Sequence, residues 1–276
     1  MFKEDKLERV KTTTSCGDCE YIPKVHNAGE IVDGYQIMHN GLKVVHGGYH
    51  GDWMAEIIKS LRGHHEPQEE KAFYEILKDV SRGGVMIEFG SNWAYYSAWF
   101  NKNVEDATNI MIEPTNKKLE VGKKNFEVNN MKGVFENAFV GRSVINGAKF
   151  VDWDKKTYDM DQLCVDDIVD RHNLDKVDIV HADIQGAEFE MLHGSIKSIA
   201  KNKIRYFVIS THGNALHDYC GLFLETHGFH IICDHTVAQS YSGDGLLVAS
   251  LNNSKKINIS KRPTSAKEER FGYEVL

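Results

Sequence analysis

Residues 85–114 read VMIEFGSNWAYYSAWFNKNVEDATNIMIEP, and the fold turns on how this stretch divides. A five-residue apolar run, 85–89, is broken at Gly90, and a second apolar run follows at 109–112. The aromatic-rich residues from Trp93 onward lie between them, at a length that suits a helix packed into a core. Strand, glycine turn, helix and strand make one βαβ unit, whose two strands pair in parallel.

The same alternation continues downstream. Further strands are expected at 134–140, 177–182, 204–210, 229–233 and 246–251. Helices are expected at 115–129, 162–172, 187–200 and 216–227, where apolar residues recur at three- and four-residue spacing. The last two strands have only a loop between them, ending in Gly243-Asp244-Gly245, so they pair antiparallel. The expected fold is α/β, a doubly wound and mostly parallel sheet of about seven strands ending in an antiparallel hairpin, within residues 63–252.

Before it, residues 1–62 are rich in Gly and His, and Asn40-Gly41 separates two short runs, 35–38 and 42–45. Asn-Gly between such runs is a hairpin signal, because both residues tolerate positive φ. This segment reads as a small β-containing arm, a cap over the main domain or the contact of a homodimer. After the main domain, 253–276 reads as a polar, locally basic peripheral tail. The 276 residues carry 33 basic and 40 acidic side chains, a net charge of −7, which disfavours nucleic acid or an anionic membrane as the main partner. No apolar run approaches a membrane span in length and residues 1–15 hold no apolar signal region, so a cytoplasmic protein is expected. Five cysteines, an odd number, read as reduced thiols.

In a doubly wound sheet the ligand sits beyond the carboxyl ends of the strands. Those ends deliver Glu88-Phe89-Gly90-Ser91-Asn92, then Glu113-Pro114, then Asn137-Ala138, then Asp183 through Glu188, then His212-Gly213-Asn214. A glycine turn followed some twenty residues later by an acid suits a nucleoside, whose ribose hydroxyls the acid binds. A dinucleotide would call for G-x-G-x-x-G, but Asn92 occupies the second glycine position, and no G-x-x-x-x-G-K-[ST] loop is present. S-adenosylmethionine has no phosphate and carries a sulfonium, so one glycine and flanking carboxylates suffice.

Four pieces in order carry a family resemblance: His65-Glu66-Pro67-Gln68, IEFGSNWAYYS at 87–97, IEPTNKKLEVGKKNFEVNN at 112–130, and VDIVHADIQGAEFEMLHGS at 177–195. Over about two-thirds of its length, from Glu66 to Leu251, the chain resembles the FkbM family of S-adenosylmethionine-dependent O-methyltransferases. Glu88 stands where an aspartate is usual, and Gln185 where an acid is more common. The resemblance implies a Rossmann-like class I methyltransferase fold. It also implies that Glu88, Gly90, Ser91 and Asn92 line the methionine moiety and that Glu113 binds the ribose. Asn137 would lie near the adenine and Glu66 near the cofactor's mouth, with Ala138 and Asp183 also binding the cofactor. The acceptors it implies are small-molecule or glycan-linked hydroxyls.

Methyl transfer to a hydroxyl is assisted by a base. His212, at a strand end with an ordinary pKa near 6.5, is the first candidate, with Asp183 and Glu188 as alternatives or as its orienters. Asp183, His212, Asn214, His217 and Asp218 are the donors to which Mg2+ or Mn2+ would bind. Cys16 and Cys19 form a lone CxxC without a second knuckle, and His26 and His39 are the residues that could complete a zinc site. The loop His46–Trp53 has the composition of a flap that folds over a site and holds a sugar ring. Two other functions stay open. One is an NAD(P)-dependent nucleotide-sugar oxidoreductase, which a Tyr-x-x-x-Lys pair would support. The other is a non-catalytic binding protein on the same scaffold.

Overall fold

The computed structural model describes residues 3–152 and 155–264. Along the chain the elements are α1 (Lys3–Thr14), β1 (Ile31–Val32), β2 (Tyr35–Ile37), β3 (Lys43–Val45), α2 (Asp52–Ser60) and α3 (Pro67–Leu77). The central domain follows with β4 (Val85–Phe89), α4 (Tyr95–Asn103), β5 (Thr108–Ile112), α5 (Asn116–Val128) and β6 (Val134–Glu136). Next come β7 (Phe139–Val140), β8 (Ile145–Val151), β9 (Thr157–Leu163), α6 (Val165–Arg171) and β10 (Val177–Asp183). The last elements are α7 (Glu188–His193), α8 (Ile196–Ala200), β11 (Ile204–Thr211), α9 (Asn214–Thr226), β12 (His230–His235) and β13 (Gly245–Ser250).

Seven strands form the main sheet in the order β12-β13-β11-β10-β4-β5-β6. All neighbours from β11 to β6 pair in parallel, and β13 runs antiparallel to both β11 and β12. This is the expected doubly wound sheet with its antiparallel finish. Period two along each strand feeds two apolar layers. Val85, Ile87 and Phe89 of β4 join α6, α7, α8 and α9 residues such as Val165, Met191, Ile199 and Leu224. Met86 faces the other way, with Ile179, Val208 and Val248, toward α3 and α4.

That second layer also contains Ile22, Met38, Leu42, Val44, Ile57 and Ile58, so the apolar side chains of the arm pack within this chain. The expected hairpin is present as β2–β3, extended by β1. The sequence reading lacked α1 and α2. Gly63 ends the arm in a left-handed conformation, φ 89°, and a Cβ there would strike the His39 amide and lie 2.8 Å from its Cα. Only glycine lets the arm close on itself at this point.

Three other expectations differ. The run 134–140 bends at Asn137 into two strands of different sheets, with β7, β8 and β9 forming a small second sheet. The helix expected over 162–172 begins only at Val165, because β9 occupies Thr157–Leu163. The helix over 187–200 breaks at Gly194-Ser195. Of the tail, 253–264 lacks regular structure yet is pinned: Ser260 donates to Asp18, Gln68 donates to the Ser260 carbonyl, and Arg262 donates to the Ala238 carbonyl. Residues 265–276 lie outside the described residues. Among the described residues no helix is long and apolar enough to cross a membrane.

Candidate functional site

Beyond β4 the chain wraps through three left-handed residues in five, Gly90 (φ 70°), Asn92 (φ 46°) and Ala94 (φ 56°). Non-glycine residues pay of order 1 kcal/mol or more for this conformation, so the loop is held by its surroundings. The Gly90 and Ser91 amides donate to the Ile112 carbonyl, at 2.9 and 3.1 Å. Glu113, at the end of β5, accepts from the Asn92 amide (3.1 Å) and the Thr115 amide (2.7 Å). It is 3% exposed, and burial pushes its carboxyl up, against the pull of Lys118. Asn137 is exposed and donates to the Glu113 and Pro114 carbonyls, steadying that turn, while Ala138 is buried beside it. Ser91 Oγ is buried and has no hydrogen-bond partner.

Glu88 is buried. Strand parity puts it on the Met86 face, where it accepts from the Ser97 amide of α4 (3.2 Å) and lies 3.8 Å from His181 of β10, its register partner. It therefore supports the loop from below. Burial pushes its carboxyl up to about 7, with the His181 charge pulling down. Its ordinary value is 4.5, so the folded protein binds this proton more tightly than the unfolded chain does. Glu88 thus lowers stability as pH rises from 4.5 to about 7. Glu88→Gln keeps an acceptor for Ser97, and urea unfolding between pH 4.5 and 7.5 is expected to show a flatter slope than the wild type.

The ends of β10 and β11 and the β12–β13 loop build a second cluster. His212 Nδ1 bonds Glu188 Oε1 at 2.6 Å, and its Nε2 lies 3.3 Å from Asp183 Oδ1 and 3.4 Å from Asp244 Oδ1. Burial opposes a charge on His212, yet hydrogen bonds to Asp183 and Glu188 outweigh it and raise the imidazole to about 11. His212 is thus not the free imidazole of ordinary pKa expected from the sequence: both nitrogens are engaged, and Gln185 Nε2 also lies 2.6 Å from its Nε2. Burial alone would raise Asp183, but the bond from His212 holds it down to about 2, and Gln185 Nε2 donates to it at 2.9 Å. Burial pushes Asp244 up to about 7, opposed by His212 and reinforced by Asp183.

The arm completes the pocket. Arg9 of α1 donates to the Ser242 carbonyl, lies 3.9 Å from Asp244 Oδ2 and covers the Trp53 ring. Tyr49 stacks on Trp93, centroids 4.7 Å apart and nearly coplanar, and its hydroxyl donates to Glu66 Oε1 at 3.4 Å. Glu66 occupies the N-cap position of α3 but makes no cap bond with its side chain. Tyr96 donates to it (3.1 Å) and His65 pairs with it (3.2 Å). Beneath, the buried face of α3 carries Glu69 and Glu70, which bond His181 with Ser210 and His64 with His65 respectively.

The structure thus brings Asp183, Glu188, His212 and Glu66 together beside the Gly90 loop, and adds Asp244, Arg9 and Tyr49, which were not singled out. The metal ligand set disperses. His217 turns to Thr211 and Asp234, Asp218 is exposed, and no group of three or more His, Cys, Asp or Glu side chains among the described residues is placed to hold a metal. The same finding leaves no zinc site at Cys16 and Cys19, whose buried thiols are pushed up to about 11 and about 12 by burial. The oxidoreductase pair has one match in spacing, Tyr74 and Lys78, but it lies on α3 with Lys78 over the Tyr74 ring and bonded to Glu75, outside this cluster.

A family model described as the methyltransferase FkbM domain matches residues 83–231, more than half of the chain. No curated protein matches it. Among solved structures it resembles M. capricolum TrmK in complex with S-adenosyl-homocysteine, at 14% identity over 73% of this chain and 74% of that one, with a TM-score of 0.42. It also resembles precorrin-6y C5,15-methyltransferase from Geobacter metallireducens GS-15, at 14% identity over 65% and 87%, TM-score 0.44. A third is the Streptococcus pneumoniae Sp1610 putative tRNA (m1A22) methyltransferase in complex with S-adenosyl-L-methionine, at 17% identity over 73% and 78%, TM-score 0.40.

Proposed function

The chain belongs to the FkbM methyltransferase family, and from that membership we propose that it moves the methyl group of S-adenosylmethionine to a hydroxyl of a sugar, a surface-polysaccharide precursor or a small natural product. The residues at the strand ends fit such a donor. Ser91 Oγ is a buried polar atom without a partner on the Gly90 loop, ready for the methionine moiety. Each Glu113 oxygen accepts one amide and keeps a lone pair for a ribose hydroxyl. Asn137 and Ala138 flank the adenine, and Glu66 and Asp183 close the mouth. The bound donor supplies an electrophilic methyl carbon.

The observation that carries this reading is the pocket's charge. Glu66, Asp183, Glu188 and Asp244 gather there against Arg9, His212 and the His65 that pairs with Glu66. Such a lining favours a sulfonium and a neutral polyhydroxyl acceptor, and disfavours the pyrophosphate of a dinucleotide. Carboxylates accept hydroxyl hydrogen bonds.

Calorimetric titration with S-adenosylmethionine, S-adenosylhomocysteine and NAD+ tests it. Micromolar binding of both sulfur nucleosides is expected, weakened about tenfold to a hundredfold in Glu113→Ala through loss of the ribose bonds. Binding of NAD+ alone would overturn the reading. A methyl-labelled donor with a panel of methyl glycosides then finds the acceptor class.

A further inference from the structure

His212 has no free nitrogen with which to take a proton, so the acceptor's proton must go elsewhere. Three carboxylates face it. Glu188 is fully buried, with one oxygen bonded to His212 and the Gly186 amide. Asp183 accepts from Gln185 and pairs with His212. Asp244 differs from both. Like Asp183 its side chain is 28% exposed, but where Asp183 takes a 2.9 Å bond from Gln185, Asp244 has only ion pairs among the described residues, 3.4 Å to His212 and 3.9 Å to Arg9, longer than good hydrogen bonds. Gly243 and Gly245 flank it at the head of β13.

We propose that Asp244 is the catalytic base of this protein, taking the proton of the acceptor hydroxyl while His212 pairs with Asp183 and Glu188 beside it. The proposal rests on the O-methyl transfer reading. As the hydroxyl oxygen forms its bond to the methyl carbon, the carbon–sulfur bond breaks and its electron pair stays on sulfur, giving the thioether. The hydroxyl proton passes to Asp244 and then to water through the exposed side of the pocket. The groups facing Asp244 come from four elements: Arg9 on α1, Glu66 before α3, Asp183 on β10 and His212 after β11. Burial and the two acids press it toward the neutral form, and the two cations oppose them. The two aspartates beside His212 Nε2 are thus split, one fixed as an anion and one poised near neutrality, the separation that marks acid–base roles.

The test uses the full chain saturated with S-adenosylhomocysteine and labelled at the aspartate carboxyl carbons. Carbon NMR is expected to show one carboxyl titrating near pH 7, absent in Asp244→Asn and moved upward in Arg9→Gln. Asp244→Asn is expected to bind S-adenosylhomocysteine within about threefold of wild type while methyl transfer to the glycoside panel falls about a hundredfold or more. A carboxyl titration near 7 that survives Asp244→Asn overturns the assignment, as does the absence of any between pH 6 and 8, or turnover by Asp244→Asn near the wild-type rate. Loss of nucleoside binding in the wild type would instead strike the methyltransferase reading itself.

Discussion

Gly90→Ala is expected to abolish measurable binding of S-adenosylmethionine and S-adenosylhomocysteine and to lower stability by about 2–4 kcal/mol. A Cβ at Gly90 would penetrate the Asp183 carbonyl oxygen and lie 2.9 Å from its carbon, and the backbone sits at φ 70°. The obstacle is backbone, so no rotamer relieves it. β4 and β10 are parallel neighbours paired up to Phe89 and Ala182, so either the loop lifts or the end of β10 gives way. In the first case Ser91 leaves its place; in the second Asp183 leaves His212. Denaturant unfolding reads the stability and calorimetry reads the binding. Affinity within threefold of wild type would show that the donor does not depend on this loop.

His212→Gln is expected to cost about 3–5 kcal/mol near pH 5 to 6, because it strips the partner from the buried Glu188 and the partly exposed Asp183. The pH dependence identifies the cause. His212 has an ordinary value of 6.5 and sits near 11 in the fold, so its proton stabilises fully below pH 6.5 and progressively less as pH rises toward 11. Asp183 is lowered from 3.8 to about 2, so its contribution holds above pH 3.8 and is lost as pH falls toward 2. Unfolding at pH 5.5, 7.5 and 9.5 is expected to show the gap between variant and wild type closing as pH rises. A gap that stays constant would mean that His212 contributes packing alone.

Much of the main sheet was legible because its strands are short apolar runs separated by amphipathic helices, a pattern that burial on both faces writes into the sequence. The β8–β9 hairpin left no such trace: Ile145, Val151 and Tyr158 are exposed, and polar residues occupy both faces. The placement of Glu88 was readable in principle. Two residues after Met86, it had to share Met86's face, and the acid-rich start of α3 with the histidines before it held the partners for that layer. The state of His212 was not readable. Asp183 and Glu188 are read from the sequence as its orienters, but its charge also depends on Asp244, in a distant loop that only the fold brings to it. Tyr49 stood in a loop already marked by its composition, whereas Arg9 sat in a helix of ordinary charged residues that nothing local sets apart.

The clasp between the two ends of the chain also has a consequence in time. Thr13 bonds the Tyr241 carbonyl, Arg9 the Ser242 carbonyl and Asp18 the Ser260 amide, contacts separated by more than 220 residues. At ordinary synthesis rates the first helix leaves the ribosome roughly ten to fifty seconds before its partners exist. During that interval Ile22, Met38 and Ile57 have no sheet to cover, and the pocket has no Arg9 poised over Asp244. Closure therefore waits for the last strands, and a contact order this high makes that final docking slow. A nascent chain released early would carry the Gly90 turn without the Arg9–Asp244 contact at its pocket.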